Sequence, residues 1–325
     1  MTPLERALRE RIAAEGPISV ETFMHACNEY YYATRDPLGV GGDFTTAPEI
    51  SQMFGEMVGA AVADAWKRAG SPASAAYVEL GPGRGTLAAD ALRVLRAAGF
   101  AGGVDFVETS PMLRDAQKRA VPNATWHDRI EGLPQRPMLL VANEFLDALP
   151  IQQHVGGIER RVTVAAGGLA FDRDGEIVET SPIRDEVAAT IARRLLADGG
   201  AALFIDYGHS KSAPGDTLQA VREHRFAPVL ADPGEQDLTS HVDFESIGIA
   251  ARNAGAGVTP VAVQGDWLIR LGIESRAQSL SRANPDRAGD VEAALRRLTS
   301  PDQMGQLFKV IAIHSPDWPA PAGLA

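Results

Sequence analysis

Apolar positions along this chain recur with two periods, and each change of period marks an element. Residues 4–15 and 19–32 repeat every three to four positions, as helices do, and Gly16-Pro17 separates them. Ser19 is placed to cap the second helix, although Thr22 stands where a full capping box has Glu or Gln. Residues 35–44, with Gly39, Gly41 and Gly42, read as a loop. A further helix, opening at Thr46 or Ala47, runs through Phe54, Val58 and Trp66. Aromatic residues beside a glycine loop suggest that residues 1–70 form an N-terminal helical lid region.

From residue 71 strand and helix patterns alternate. Strands are expected at 76–80, 104–108, 124–127 and 138–142, with helices at 86–98 and 111–120 between them; Ser110-Pro111 opens the latter helix. Segments 151–155, 159–165 and 168–178 then switch to a period of two with glycine turns, the signature of antiparallel hairpins inserted into a parallel pattern. Helix 184–197 and strand 201–205 restore the alternation. Residues 207–242 read as a long loop, 243–255 as helix, 257–263 as strand, 270–304 as a polar region with helical pieces, and 307–313 as a final strand. The expectation is an α/β fold with a doubly wound, seven-stranded sheet over 71–315. It carries insertions at about 151–182, 207–242 and 270–304, and a loosely tied tail at 316–325.

Composition narrows the classes. The chain has 325 residues, 45% hydrophobic and 22% charged, the balance of a globular protein with a substantial core. A net charge of −11 argues against nucleic-acid binding and permits a basic partner. The single cysteine, Cys27, excludes an internal disulfide framework, and its simplest role is as a small buried side chain. The histidines show no metal spacing, so no metal is expected. No stretch reaches the roughly 18 apolar residues that span a bilayer, so membrane insertion is not expected. The N-terminus lacks a signal or transit pattern, which sets the expected compartment as cytoplasmic.

The chemistry centres on Tyr77-Val78-Glu79-Leu80-Gly81-Pro82-Gly83-Arg84-Gly85-Thr86. A strand breaks into glycines spaced two apart and a helix follows, as in nucleotide-binding sheets. A dinucleotide fingerprint is G-x-G-x-x-G, but here the third glycine comes one residue early. Glu79 would repel a pyrophosphate and suits a ligand with a cationic end, such as the sulfonium and ammonium of S-adenosylmethionine. Glu108 closes the second strand, where an acid can accept both ribose hydroxyls. The competing reading is an ordinary tight turn with two solvated strand ends. With the last two strands lacking a regular crossover, the pattern favours the class I methyltransferase (Rossmann-like) form of the sheet.

Several blocks together resemble one family. They are Val78 to Thr86, Val107-Glu108-Thr109-Ser110-Pro111, Ala142-Asn143-Glu144-Phe145-Leu146-Asp147-Ala148-Leu149-Pro150, Asp216-Thr217-Leu218-Gln219-Ala220, and Asp43-Phe44-Thr45-Thr46-Ala47-Pro48-Glu49-Ile50. Tyr31-Tyr32, residues 237–244 and residues 304–310 also fit. They resemble the MidA family, which includes the mitochondrial arginine methyltransferase needed for respiratory complex I assembly. The resemblance covers nearly the whole chain, and without an evident presequence this chain looks like a bacterial member. It implies a class I S-adenosylmethionine-dependent methyltransferase and, as partner, a protein substrate with a basic arginine target such as a complex I subunit.

On that reading Glu144 and Asp147, just beyond the fourth strand, would grip the guanidinium and accept its proton; they could equally be acids of a helix N-terminus. His241 is a second candidate proton acceptor, or a loop histidine. Asn143 could hold the methionine end of the cofactor or act as a cap, and Asp128 could accept from the adenine amino group or serve a turn. Asp43 and Asp243 are further candidates from the loops. The rival functions are a small-molecule methyltransferase and a non-catalytic assembly chaperone; a nicotinamide-dependent dehydrogenase fits the glycine spacing poorly. The hairpin insertion offers an edge for self-association.

Overall fold

The computed structural model describes residues 1–34, 46–222 and 225–324. Among the described residues its main sheet is built on seven strand positions, β1 (Ala76–Leu80), β2 (Val104–Val107), β3 (Thr125–His127), β4 (Met138–Asn143), β5 (Gly200–His209), β6 in two pieces (Gly257–Val258 and Ala262–Val263) and β7 (Phe308–His314), with the short Val242–Asp243 added parallel to the end of β5. Their spatial order is β3-β2-β1-β4-β5-β7-β6. Neighbours from β3 to β5 run parallel, while β7 runs antiparallel to β5 and to both pieces of β6. Strands β1, β2 and β4 are buried at every position and are mainly apolar, with Glu79, Asp105 and Asn143 as their polar positions.

The helices longer than one turn among the described residues are α1 (Pro3–Glu15), α2 (Val20–Thr34), α3 (Gln52–Arg68), α4 (Thr86–Ala97), α5 (Pro111–Ala120), α6 (Pro182–Asp198), α7 (Phe244–Asn253), α8 (Gln264–Arg270), α9 (Ile273–Ala283) and α10 (Ala288–Thr299). On one face of the sheet Phe54, Val58, Leu87, Ala91, Trp267 and Leu298 pack against Tyr77, Leu139 and Leu203. Gly59 lets α3 lie directly on α4, since a Cβ there would sit 2.6 Å from the Ala91 carbonyl oxygen. On the other face Ala188, Ile191, Leu195, Phe244 and Ile247 cover Val78, Leu140 and Phe204. Both faces of the sheet are therefore covered, as the strand composition requires.

A separate apolar cluster joins the N-terminus to the insertions. Leu8, Ile12, Phe23, Met24 and Cys27 pack with Ile151, Val162, Leu218 and Leu238. Ile18 and Ser19 pair antiparallel with Val162 and Arg161. Burial pushes the Cys27 thiol up to about 12, in keeping with a packing role.

Four expectations are corrected. The helix from Ala47 is broken: one turn, Ala47–Ile50, ends at Ser51, whose extended backbone and hydroxyl cap α3 by accepting from the Met53 N–H. The long loop 207–242 instead holds a three-stranded antiparallel sheet, Gln219–Arg222, Arg225–Ala227 and Asp237–Thr239, whose strands are too short to show a period. Strand 257–263 is interrupted at Thr259-Pro260, because proline has no N–H for the ladder. The tail is tied down: Trp318 and Leu324 are buried, the Trp267 indole donates to the Ala322 carbonyl at 3.1 Å, and Arg270 donates to the Gly323 carbonyl.

Candidate active site

Strand β1 ends in a turn whose three glycines all have left-handed backbones, with φ of 58° at Gly81, 54° at Gly83 and 82° at Gly85. An L side chain would cost about 1–2 kcal/mol at each. At Gly81 a Cβ would also lie 3.0 Å from the Phe145 ring. The turn is closed by bonds from the Gly81 N–H to the Val107 carbonyl and from the Gly85 N–H to the Pro82 carbonyl. Beside it, at the carboxyl ends of β1, β2 and β4, lies a cavity of about 790 Å³. This is the edge where α/β sheets bind ligands.

Two buried carboxyls face this cavity. Glu79 accepts from the Tyr77 hydroxyl at 2.7 Å, and burial pushes it up to about 8 against the opposing pull of that bond. Glu108 accepts from the Ser110 N–H at 2.8 Å and from the Gln117 amide at 3.1 Å, and burial raises it too. Gln117 also donates to the Gly83 carbonyl at 2.7 Å, which ties α5 to the turn. Each carboxyl oxygen keeps capacity for a further donor.

The opposite wall begins where β4 ends. The Glu144 N–H continues the ladder by donating to the Ile205 carbonyl, and its backbone then turns left-handed at φ 49°. Non-glycine residues hold such a conformation only where surrounding bonds impose it. One Glu144 oxygen, Oε1, accepts from the Ala47 N–H and from the Asn143 amide, each at 3.1 Å. Oε2 has no hydrogen-bond partner among the described residues. Burial, and then the charge of Asp147, push Glu144 up to about 7. The Asn143 Oδ1 is buried with no hydrogen-bond partner among the described residues, a costly state unless a ligand supplies a donor.

The cavity thus brings together Glu79, Gly81, Gly83, Glu108, Asn143 and Glu144 of the residues singled out from sequence. Gly85 does not line it; it is the left-handed residue before α4. Asp128 stands outside, its side chain 82% exposed and paired with Arg114. Asp147 lies behind the wall, buried, with a carboxyl oxygen accepting the Ala148 N–H. His241 is also away from the cavity, edge-on to Tyr207, and burial lowers its pKa. Asp243 caps α7 by accepting from the Glu245 and Ser246 N–H groups. Asp43 lies outside the described residues.

Sequence reading missed Asn28, Tyr32, Glu49 and Thr86 on the cavity wall. Asn28 donates to the Ala148 and Leu238 carbonyls at 2.8 Å each, and the Tyr32 hydroxyl donates to Asp237. The Thr86 hydroxyl donates to Glu49 at 2.7 Å. The signal was present in the spacing of His25, Asn28, Glu29 and Tyr32 along one face of α2. It was hidden because that face is polar and reads as solvated.

The donor set fits a ligand with a cationic end and a diol: a buried acid beside bare glycine backbone, a second acid after β2, and an orphaned amide oxygen. Among the described residues no cluster of three or more His, Cys, Asp or Glu could hold a metal ion.

Residues 57–167 and 158–261 match the model of a family described as putative S-adenosyl-L-methionine-dependent methyltransferases. The chain belongs to this family. It is 34% identical to the Drosophila melanogaster protein arginine methyltransferase NDUFAF7 homolog, mitochondrial, over 95% of this chain and 84% of that protein. Against Homo sapiens protein arginine methyltransferase NDUFAF7, mitochondrial, identity is 31% over 96% of this chain and 83% of that one. A Burkholderia thailandensis likely methyl transferase, solved with S-adenosyl-homocysteine bound, superposes with a TM-score of 0.86 at 27% identity, covering 99% of this chain and 94% of that one. The resemblance to the MidA family is therefore borne out. The fold is that of class I methyltransferases, the activity is S-adenosylmethionine-dependent methyl transfer, and the cofactor is S-adenosylmethionine. No helix among the described residues is long and apolar enough to cross a membrane.

Proposed function

We propose that this family member methylates an arginine of a protein substrate, with Glu144 as the residue that receives the guanidinium. The observation that carries this is the state of Glu144. One carboxyl oxygen is fixed by two N–H donors while the other is without a partner among the described residues, in the same cavity as the glycine turn. The names of the relatives, protein arginine methyltransferases, point the same way.

The cofactor would supply an electrophilic methyl group activated by sulfonium, its methyl C–S bond breaking with the electron pair left on sulfur. Glu79, the backbone of Gly81 and Gly83, and Asn143 would hold its charged end, and Glu108 would accept from its ribose; Gly85 shapes the turn. A free guanidinium is a poor nucleophile, with a pKa above about 12. Glu144 Oε2 accepts a hydrogen bond from the nitrogen that is to be methylated, orients it, and takes its proton as the new bond forms. The arriving cation lowers the pKa of Glu144 and so ionises the carboxyl when it is needed. Asp147 and His241, away from the cavity, act on this site only through the loop and its charge. Asp128, exposed and paired with Arg114 outside the cavity, takes no part.

The first candidate substrate is the one the family resemblance implies, a respiratory complex I subunit. The test is tandem mass spectrometry of the quinone-side complex I subunits from cells carrying the wild-type chain, the Glu144→Gln variant or neither. A methylated arginine is expected only with the wild type. In vitro the variant is expected to lose methyl transfer by about 10²–10⁴-fold. Its S-adenosylmethionine affinity by calorimetry should stay unchanged. Arginine methylation that persists without the chain removes the substrate; an active Glu144→Gln variant removes the role of Glu144.

A further inference from the structure

We infer that the target arginine is presented on an extended, basic peptide segment that lies along the outer face of α2, where Glu29 reads its positive charge. The inference rests on the arginine reading above and adds the surface that selects the sequence around the arginine. Helix α2 has two working faces. Phe23, Met24, Cys27 and Tyr31 are fully buried, so one face is fixed against the accessory core. The adjoining face carries His25, Asn28, Glu29 and Tyr32 at spacings of three, four and seven, and all four line the cavity. This face runs from the cavity wall outward, since the side chains of Glu29 and His25 are 76% and 68% exposed.

Next to α2, and tied to it where the Asn28 amide donates to the Ala148 carbonyl, the segment Ala148-Leu149-Pro150 and the exposed Ile183 form an apolar part of the same cavity wall. The cavity is a groove over this seam, and Glu144 lines it too. From His25 to Tyr32 the helix rises about 10 Å. That length matches about three residues of extended chain. A strand-like segment fits such a slot, with apolar contact on one side and a row of polar side chains on the other.

Charge selects the occupant. The cavity and its rim carry the carboxyls of Glu29, Glu49, Glu79, Glu108 and Glu144, against the cation of Arg84 and, when protonated, His25. Glu79 and Glu108 answer the cofactor, Glu144 answers the target guanidinium and Glu49 accepts from the Thr86 hydroxyl, which leaves Glu29 exposed at the mouth with the His25 imidazole 3.9 Å away. A lysine or arginine near the target meets Glu29 there, and an acidic neighbour is repelled. The net charge of −11 extends the same field beyond the groove.

The test is fluorescence anisotropy with the full chain loaded with S-adenosylhomocysteine and two labelled nine-residue peptides. Each has one central arginine, flanked in one peptide by lysines and in the other by glutamates. The lysine peptide is expected to bind at least about tenfold more tightly, with an advantage that shrinks as salt rises. Glu29→Lys is expected to abolish or reverse that preference while S-adenosylhomocysteine affinity stays at the wild-type value. Equal binding, no binding of either peptide, or an unchanged preference in Glu29→Lys overturns the inference. Free arginine binding as tightly as the lysine peptide also overturns it and assigns the groove to a small cation. Arginine methylation in the cellular experiment above, without any peptide preference here, sinks this inference alone; its absence sinks the reading beneath it.

Discussion

A carboxyl that must take a proton from a bound cation works best when its free form titrates near the working pH. Glu144 reaches about 7 because burial disfavours its charge and Asp147 adds repulsion, while the Ala47 N–H and the Asn143 amide pull the other way. With the pKa raised, the free site is mostly protonated below about 7 and mostly ionised above it. The acid limb of kcat/KM is therefore expected to rise about tenfold per pH unit up to about 7 and then level off. Asp147→Asn removes a raising influence and should move that limb to lower pH. A pH profile of kcat/KM on the methylated substrate checks both, and a flat wild-type profile between pH 5.5 and 8 would contradict the role of Glu144.

At the scale of the element, Glu144 is only as well placed as the segment 144–150 that carries it. Asp206, fully buried at the point where β5 passes this segment, accepts from the Leu146 and Asp147 N–H groups at 3.0 and 3.2 Å and from the Tyr207 N–H at 2.9 Å. Arg184, buried on α6, donates to the carbonyls of Asp147, Leu149 and His241 and to the Ser240 hydroxyl. The Ser181 hydroxyl holds the Pro150 carbonyl at 2.6 Å. The left-handed turn at Glu144 persists because these bonds leave the segment no alternative. Asp206→Ala is expected to leave buried N–H groups unpaired and cost about 2–4 kcal/mol. Urea denaturation measures that loss, and the same variant should lower kcat more than it raises the cofactor Kd.

These elements also show which parts of the site could be read in advance. The strands and helices of 76–142 have strong periods, and the turn from Gly81 to Gly85 announces itself because only glycine tolerates its backbone. Glu79, Glu108 and Glu144 were legible because strand ends on one edge of such a sheet converge. Asp206 and Arg184 were not, since their partners are main-chain groups of a distant segment and no spacing encodes them. The pairing of Ile18-Ser19 with Val162-Arg161 is equally silent in sequence. For Asp147 and His241 the residue types suited the chemistry, but side-chain direction is decided by tertiary bonds.

The whole molecule is held by connections of long sequence separation. At the C-terminus, Trp318 and Leu324 are buried, Arg68 donates to the Ala320 carbonyl, and Trp267 and Arg270 anchor residues 322 and 323. Removing residues 316–325 would expose two large side chains, at about 1.5–3 kcal/mol each. A lower melting temperature is expected for the truncated chain, and an unchanged one would show that the tail only rests on the surface.

The accessory cluster has a consequence for the timing of synthesis. Residues that line the cofactor half of the cavity, from Pro48 to Pro111 and on to Asn143, leave the ribosome as one nearly continuous stretch. The wall on α2 is made before any of them, yet Asn28 finds its partners only at Ala148 and Leu238, and Tyr32 only at Asp237. The first helices to emerge must therefore wait 120 further residues for the first of these partners and more than two hundred for the last. A nascent chain completes its donor half early and its acceptor half last, so an unfinished polypeptide has a place for the methyl donor before it has one for anything to be methylated.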